Sequence, residues 1–246
     1  MKHRIIIIIK RWPGLYRLVA GIYYTFRLVH VAELFIGTKA RERQWATREI
    51  AEGYWDTGDN PVKRFLRERV ANFSPVSSLI EVGSASGANL YLLAKEHPKA
   101  QLVGIDINTA AVQYGKKQFA REGITNVELQ VGKADELGKF QDKSFDILFT
   151  NALLIYIGPD KIEEVIKNMI RITRQALILI ELQLFESEGR RKDALGLYQH
   201  DNWVRDYAAL FRQFTPEEQI RVTKLPEGIW PVEPWQDSGA IIEVVT

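Results

Sequence analysis

Two glycines separated by small residues give the clearest chemical signal in this sequence. Residues 79–90 read LIEVGSASGANL, in which an apolar run leads to Gly83 and Gly87 and then to a helical pattern. Because glycine has no Cβ, the backbone between these two residues can turn sharply and approach a ligand closely. A strand that turns into a helix also directs the unpaired N–H groups of the helix at the ligand. The pattern predicts a ligand-binding turn of a kind that nicotinamide, flavin and nucleoside-phosphate sites share.

A carboxylate one structural unit later narrows the choice of ligand. The segment QLVGIDIN at 101–108 predicts a second buried strand, which ends in Asp106, 23 residues after Gly83. An acid at an offset of about 20 residues binds the ribose hydroxyls of nucleoside ligands. A dinucleotide turn reads G-x-G-x-x-G, whereas Ala85 and Ala88 occupy the second and third glycine positions here. The spacing therefore favours a nucleoside ligand and fits a dinucleotide poorly.

The sequence resembles the seven-stranded S-adenosylmethionine-dependent methyltransferases over about residues 75–246. The resemblance rests on the turn, Glu81, Asp106, VGKADEL at 131–137 and FDILFTNA at 145–152. It implies a doubly wound α/β fold, S-adenosylmethionine as cofactor and methyl transfer as activity. Ala85 departs from the family, which usually has a glycine there.

The resemblance also implies a role for each matching position. The turn would pass beneath the methionine part of the cofactor, with Glu81 near its amino group, and Asp106 would bind both ribose hydroxyls. Asp135 would meet the exocyclic amine of adenine, and Asn151 would lie beside the methyl donor. The complete set of predicted cofactor-binding residues is Glu81, Gly83, Ser84, Ala85, Gly87, Asp106, Ile107, Ala134, Asp135 and Asn151.

The acceptor side carries weaker signals, because a sulfonium methyl group is already activated. The enzyme need only position the nucleophile, exclude water and, for a hydroxyl, remove a proton. Candidate residues on this side are Asn151, Tyr156, His200, Asp201, Trp203, Asp206 and Tyr207. Among them His200 has the only side chain with an ordinary pKa near neutrality, so it is the predicted base, with a surface or capping role as the alternative. His200 and Asn151 are the predicted catalytic residues.

The residues after the fourth predicted strand bear on the acceptor. Related enzymes that methylate amide or base nitrogens have Asn-Pro-Pro-Tyr at this place, whereas residues 151–154 read NALL. We therefore predict a small-molecule or lipid-like acceptor, methylated at oxygen, and no nucleic-acid partner. The alternatives are an NAD(P)-dependent oxidoreductase and a non-catalytic scaffold that retains the fold and docks at a membrane.

Apolar segments alternate with helical patterns throughout the second part of the chain. This alternation predicts a doubly wound, mostly parallel seven-stranded sheet with helices on both faces, preceded by an N-terminal helical extension. The last two strands are joined by LPEGIWPVEPWQDSG at 225–239, which contains no full helix, so they are predicted to pair as a final antiparallel pair. Predicted strands are 78–82, 101–106, 126–131, 145–150, 176–182, 219–225 and 240–246. Predicted helices are 38–55, 59–73, 87–96, 109–121, 160–173 and 202–213. The ligand-binding residues fall at the carboxyl ends of the strands, where such sheets bind their ligands.

The composition limits the chemistry further. The chain has 246 residues, of which 46% are apolar, enough for a sizeable core. It contains no cysteine, which excludes disulfides, thiolate catalysis and cysteine-ligated zinc and favours a cytoplasmic location. Four scattered histidines predict no metal site.

The basic residues are concentrated at the N-terminus. Residues 1–50 contain ten Lys/Arg and three Asp/Glu, a balance of +7 in a chain whose net charge is +2. Residues 1–50 are therefore predicted to be a basic helical extension, and 51–246 the catalytic domain. Within the extension, residues 15–29 form an amphipathic pattern with Leu15, Ile22 and Val29 on its apolar face.

Two interpretations of this extension remain open. A basic amphipathic helix can lie on an anionic membrane, which predicts attachment of residues 1–36 to the inner face of the membrane. Alternatively, the helix packs on the catalytic domain or forms a homodimer contact. The isoleucine run at 5–9 is too short to span a bilayer.

Three aromatic residues nearer the predicted sheet, Trp45, Tyr54 and Trp55, are candidates for apolar walls of the site, with ordinary packing as the alternative.

Overall fold

The computed structural model describes residues 38–49, 52–185, 196–199 and 201–246. Its strands are β1 Ser78–Val82, β2 Gln101–Asp106, β3 Val127–Val131, β4 Phe145–Asn151, β5 Thr173–Leu182, β6 Leu197–Gln199, β7 Asn202–Val204, β8 Ile220–Lys224 and β9 Gly239–Val245. Its α-helices are α1 Thr38–Ala46, α2 Pro61–Ala71, α3 Ala88–Glu96, α4 Thr109–Arg121, α5 Ile162–Ile172, α6 Tyr207–Phe211 and α7 Trp235–Ser238. Short 3₁₀ helices are Ala134–Lys139, Leu154–Tyr156 and Glu217–Gln219.

Seven strands form one sheet in the order β3-β2-β1-β4-β5-β9-β8. Strands β1 to β5 run parallel, and β9 is antiparallel to both β5 and β8. This topology confirms the predicted α/β fold class with its closing antiparallel strand. The register sets Val82 opposite Ile105, so that the turn after β1 lies beside Asp106.

The sheet is covered by helices on both faces. Leu79 belongs to an apolar cluster with side chains of α2, α3 and α4, whereas Ile80 belongs to a cluster with α5 and α6. Neighbouring residues of a strand point to opposite faces, so each strand supplies both clusters. Residues 176–182 of β5 are all buried, as expected for a strand that is covered on both faces.

Helix α1 is shorter than the predicted helix 38–55. It ends at Ala46, and the side-chain amide of Asn108 donates to the carbonyl oxygens of Trp45 and Arg48, each at 2.8 Å. A carbonyl that accepts this tertiary bond has a partner outside the helix, which suits a helix end. The sequence of α1 gave no sign of this contact, because Asn108 lies 63 residues further on.

The predicted helix 202–213 is wrong over its first half. Residues Asn202–Val204 form β7, which pairs antiparallel with β6 in a two-stranded hairpin that was not predicted. The helix begins only after Asp206, whose carboxylate accepts from the amide of Ala209 at 3.1 Å. An aspartate at this position is a strong N-cap, and it places the true start of the helix.

Residues 1–37 lie outside the described part of the chain, and they include the predicted amphipathic helix 15–29. Its predicted contact with a membrane, with the domain or with a second copy stays a prediction. The division at residue 50 stays a prediction. Within the described residues, no helix is long and apolar enough to cross a membrane.

Candidate functional site

The turn after β1 has the backbone geometry that glycine permits. Gly83 has φ +81°, and a Cβ placed on it would lie 2.9 Å from Leu153 Cδ1. The amides of Gly83 and Ser84 both donate to the carbonyl oxygen of Ile105, at 2.7 and 3.0 Å. Ala85 also has a positive φ, +47°, which accounts for a usual preference for glycine there. The turn is thus fixed to the end of β2.

Asp106 is built into the same turn. Its Oδ2 accepts from the amide of Ala85 at 2.7 Å, and its Oδ1 accepts from the amide of Asn108 at 2.8 Å. Burial raises the pKa of Asp106, although these two backbone bonds act in the opposite direction. Each carboxylate oxygen has a second lone pair, so the group can still accept from a ligand.

Glu81 lies almost completely buried at the end of β1. Its Oε1 accepts from the side-chain amide of Asn89 at 2.7 Å, whereas its Oε2 has no hydrogen-bond partner in the described part of the chain. Burial raises the pKa of Glu81 to about 8. A cationic group that entered this place would favour the ionised carboxylate and supply the missing partner.

Asp135 lies on the other side of the cavity, in the 3₁₀ helix after β3. It forms an ion pair with Lys161, and Lys161 also lies 3.7 Å from a carboxylate oxygen of Glu42 in α1. Lys133 donates to the second carboxylate oxygen of Glu42 at 2.9 Å. These ion pairs join α1 to the two segments that form this wall.

One cavity of about 520 Å³ collects most of the predicted residues, a volume typical of small-molecule sites. Of the ten predicted cofactor residues, those that line it are Glu81, Gly83, Ser84, Ala85, Asp106, Ile107, Ala134, Asp135 and Asn151. Gly87 does not line it, and a Cβ on Gly87 would instead lie 2.9 Å from Phe119 in the core. Gly87 therefore serves the packing of the turn.

Comparison with known proteins identifies the domain around this cavity. Residues 74–189 match a family described as "Methyltransferase domain". The match contains strands β1 to β5 of the seven-stranded sheet, and together with the solved structures described below it supports an S-adenosylmethionine-dependent methyltransferase. The tRNA (guanine-N(7)-)-methyltransferase of Lactobacillus acidophilus is 26% identical over 117 residues, which are 46% of this chain and 53% of the relative. The chain thus matches about half the length of this relative.

Solved structures share the fold of the methyltransferase domain. A geranyl diphosphate methyltransferase superposes with a TM-score of 0.58 at 13% identity, covering 74% of this chain and 77% of its own. The [4+2]-cyclase SpnF superposes with a TM-score of 0.56 at 15% identity, covering 75% and 80%. At these identities the likeness concerns the fold, and the second structure carries a different activity in its name.

The residues of the methyltransferase domain fit S-adenosylmethionine. The partnerless Oε2 of Glu81 suits the ammonium group of the methionine part, and Asp106 retains acceptor capacity for the ribose hydroxyls. Gly83 has no side chain where it lines the cavity, which allows the close backbone approach predicted for the methionine part. Asp135, the residue predicted to meet the adenine amine, also lines the cavity and pairs with Lys161. The cofactor assignment follows from these acceptor groups together with the match to methyltransferases.

Two of the three candidate aromatic residues line the cavity. Trp45 and Tyr54 do so, and their rings meet edge to face with centroids 6.2 Å apart. Trp55 does not, because it packs on Tyr91 and Phe119 in the core. The packing alternative is therefore correct for Trp55.

The acceptor candidates divide into two groups. Asn151 and Tyr156 line the cavity, and Asn151 Oδ1 is buried without a hydrogen-bond partner among the described residues. Burial raises the pKa of Tyr156 to about 12, so this hydroxyl stays protonated and is a poor base. His200 lies outside the described residues, and its predicted role as a base stays a prediction.

The other described acceptor candidates have mainly structural surroundings. Trp203 and Tyr207 are fully buried in the fold, and Asp206 caps α6. Asp201 is exposed in the turn between β6 and β7. None of these four residues lines the cavity, and a role for them toward an acceptor stays a prediction.

The sequence reading missed the wall that follows β8. Residues 230 and 232–235 line the cavity, and the rings of Trp230 and Trp235 stack with centroids 3.9 Å apart. The sequence predicts the segment IWPVEPW only as a connection between two strands, although its two tryptophans in a short Pro-rich loop are a signal of an aromatic wall. Asn202 and the buried Lys63 also line the cavity and were not predicted.

The described residues contain no group of three or more metal-ligating side chains close enough to hold an ion.

Proposed function

We propose that the protein transfers the methyl group of S-adenosylmethionine to a small-molecule or lipid-like acceptor, at an oxygen atom. The cavity itself carries this proposal. Its lining includes the predicted cofactor residues and also the side chains of Tyr156, Trp230, Val232 and Trp235, so one cavity joins the cofactor residues to aromatic and aliphatic side chains. Such a wall suits a partly apolar small acceptor.

The residues of the chain supply binding, orientation and exclusion of water. In our proposal Glu81 holds the ammonium group, Asp106 holds the ribose, and Asn151 orients the acceptor beside the donor methyl. The cofactor supplies an electrophilic methyl group on a sulfonium. Removal of the acceptor proton is assigned to His200, since Tyr156 with a pKa of about 12 cannot accept a proton at neutral pH.

Transfer to tRNA is the second candidate, because this chain matches about half the length of relatives whose names carry that activity. Two observations favour the small acceptor. Residues 1–37 contain six Lys/Arg and one Glu, so the other 209 residues have a net charge of −3, whereas nucleic-acid binding relies on basic surfaces. Most of the surface that lines the cavity is also apolar.

Location and assembly are part of the same proposal. We place the enzyme in the cytoplasm, attached to the inner face of the membrane through residues 1–36. A homodimer contact through the same residues is the alternative.

A methyl-transfer assay with radiolabelled S-adenosylmethionine tests the acceptor. The purified protein is incubated separately with a lipid extract, a macromolecule-free metabolite extract and deproteinised bulk tRNA. Label in the lipid or metabolite fraction, found at oxygen by mass spectrometry, supports the proposal. Label in tRNA alone contradicts it and establishes the second candidate.

Calorimetric titration tests the reaction class. S-adenosylhomocysteine should bind, and NADH should neither bind nor raise the melting temperature. Binding of NADH alone would restore the oxidoreductase alternative, and no binding of S-adenosylhomocysteine at millimolar concentration would favour a scaffold.

A further inference from the structure

Trp45 belongs to the wall of the cofactor cavity although it lies outside the matched methyltransferase domain at 74–189. It is near the end of α1, and its ring packs against Tyr156 with centroids 4.8 Å apart and against Tyr54 at 6.2 Å. The guanidinium of Arg48 lies over the ring at 4.6 Å from its centroid. Three side chains thus fix the position of the indole.

The indole nitrogen of Trp45 is shielded from solvent and has no hydrogen-bond partner among the residues that the structure describes. A buried N–H donor without a partner is unfavourable, and in native proteins such a group calls for an explanation. Indole nitrogen can only donate, so the missing partner must be an acceptor atom. Trp45 is one of the residues that line the cavity, so we take a ligand in the cavity as the source of that atom.

Asn108 connects Trp45 to the ribose-binding acid. Its side-chain amide donates to the Trp45 carbonyl oxygen at 2.8 Å, and its backbone amide donates to Asp106 Oδ1 at 2.8 Å. Asn108 also caps α4 through the amide of Ala111 at 2.9 Å, so it cannot move freely. These bonds tie the backbone of Trp45 to the segment that carries Asp106.

We infer that the indole N–H of Trp45 donates a hydrogen bond to the adenosine half of S-adenosylmethionine, so that α1 completes the cofactor site. This inference rests on the proposed function, because it takes S-adenosylmethionine as the ligand. It adds a ligand-binding donor from a segment outside the family match. The ring oxygen or hydroxyls of ribose and the ring nitrogens of adenine are the acceptors that this donor can meet.

Calorimetry on the full-length protein tests the bond with two matched variants. Trp45→Phe keeps an aromatic ring and removes the N–H group, whereas Trp55→Phe makes the same change at a core position away from the cavity. S-adenosylhomocysteine and 5′-deoxy-5′-methylthioadenosine, which lacks the amino-acid part, are the two probes. We expect Trp45→Phe to weaken both by about threefold to tenfold, the range for loss of one neutral hydrogen bond.

The melting temperatures give a second readout. Trp45→Phe should reduce the stabilisation by S-adenosylhomocysteine, and Trp55→Phe should leave that ligand-induced shift unchanged. Three outcomes would each overturn this inference and leave the proposed function intact. They are wild-type affinity in Trp45→Phe, an equal loss of affinity in both variants, and a loss confined to S-adenosylhomocysteine. If the wild-type protein bound neither probe, the proposed function would fail with it.

Discussion

At the scale of single residues, Asp106 already accepts two backbone hydrogen bonds, from Ala85 and Asn108. The same carboxylate is proposed to bind the ribose hydroxyls, so it links the shape of the turn to ligand affinity. We expect Asp106→Ala to weaken S-adenosylhomocysteine binding by about tenfold to a hundredfold, the range for charge-assisted hydrogen bonds. Calorimetry at constant salt measures the change.

Asp142→Ala is the control for Asp106→Ala, because Asp142 is 75% exposed and pairs with Arg171 instead of lining the cavity. That variant should bind as the wild type does. Circular dichroism and the melting temperature establish that both variants are folded. An unchanged dissociation constant in folded Asp106→Ala would contradict the assignment of the ribose site.

The raised pKa of Glu81 predicts that the affinity for the cofactor depends on pH. Burial raises its pKa to about 8, so in the free protein it is mostly neutral at pH 7, and an ammonium group favours its ionised form. Binding should then release a proton below pH 8, and the affinity for S-adenosylhomocysteine should rise between pH 6 and 7.5. Calorimetry in two buffers of different ionisation enthalpy measures the proton release.

The same shift has a defined sign for stability. A carboxyl group whose pKa is higher in the folded state than its ordinary 4.5 makes the folded protein less stable as pH rises from about 4.5 through 8. Glu81→Gln should remove this contribution and also the proton release on binding. A pH-independent affinity in the wild type, with no proton release, would show that Glu81 does not meet the ammonium group.

At the scale of secondary-structure elements, the turn after β1 combines a backbone requirement with a ligand requirement. We expect Gly83→Val to lose S-adenosylhomocysteine binding, because φ is +81° there and a Cβ would lie 2.9 Å from Leu153 Cδ1 at the cavity wall. Gly123→Val is the matched control, since Gly123 has φ +68° and no atom within 4 Å of the added Cβ.

Both glycine variants carry backbone strain of about 1–3 kcal/mol, so both should melt lower than the wild type. Only Gly83→Val should fail to bind in calorimetry. Normal binding by folded Gly83→Val would show that the turn has a purely structural role.

Elements with a strong local pattern were predicted well, and elements defined by distant contacts were not. Strand β1 and helix α4 have the predicted bounds, since each has a clear periodicity and α4 follows the cap Asn108. The end of α1 depends on Asn108, and the hairpin of β6 and β7 depends on pairing between short segments. Short strands of this kind have weak intrinsic preferences, so tertiary contacts decide them.

At the scale of the whole molecule, the cofactor side of the cavity followed from sequence because it lies at consecutive strand ends. The turn, Asp106 and Asn151 meet there since parallel strands end at one edge of the sheet. The rest of the cavity wall did not follow, because Trp45 comes from a segment before the sheet and Trp230 from a loop after β8. No periodicity relates these segments, and only the assembled fold brings them together.

The basic residues and the predicted cofactor-binding residues lie in different parts of the chain, which gives a last prediction. Every predicted cofactor-binding residue lies at or after Glu81, and the balance of +7 lies in residues 1–50. We expect deletion of residues 1–36 to change S-adenosylhomocysteine affinity less than twofold, while sedimentation with anionic liposomes is abolished. Attraction between basic residues and anionic lipid explains the second effect, so added salt should weaken sedimentation of the full-length protein.

Neutral liposomes are the control for this deletion, because they retain the apolar surface and lack the charge. Sedimentation of full-length protein with anionic but not neutral liposomes supports a membrane-attached enzyme. If the full-length protein ignores both and the truncated protein melts much lower or changes its oligomeric state, residues 1–36 serve the domain or a dimer contact. The proposed membrane location would then be wrong, whereas the cofactor site would stand, because its contacts lie in the part of the chain that the deletion leaves intact.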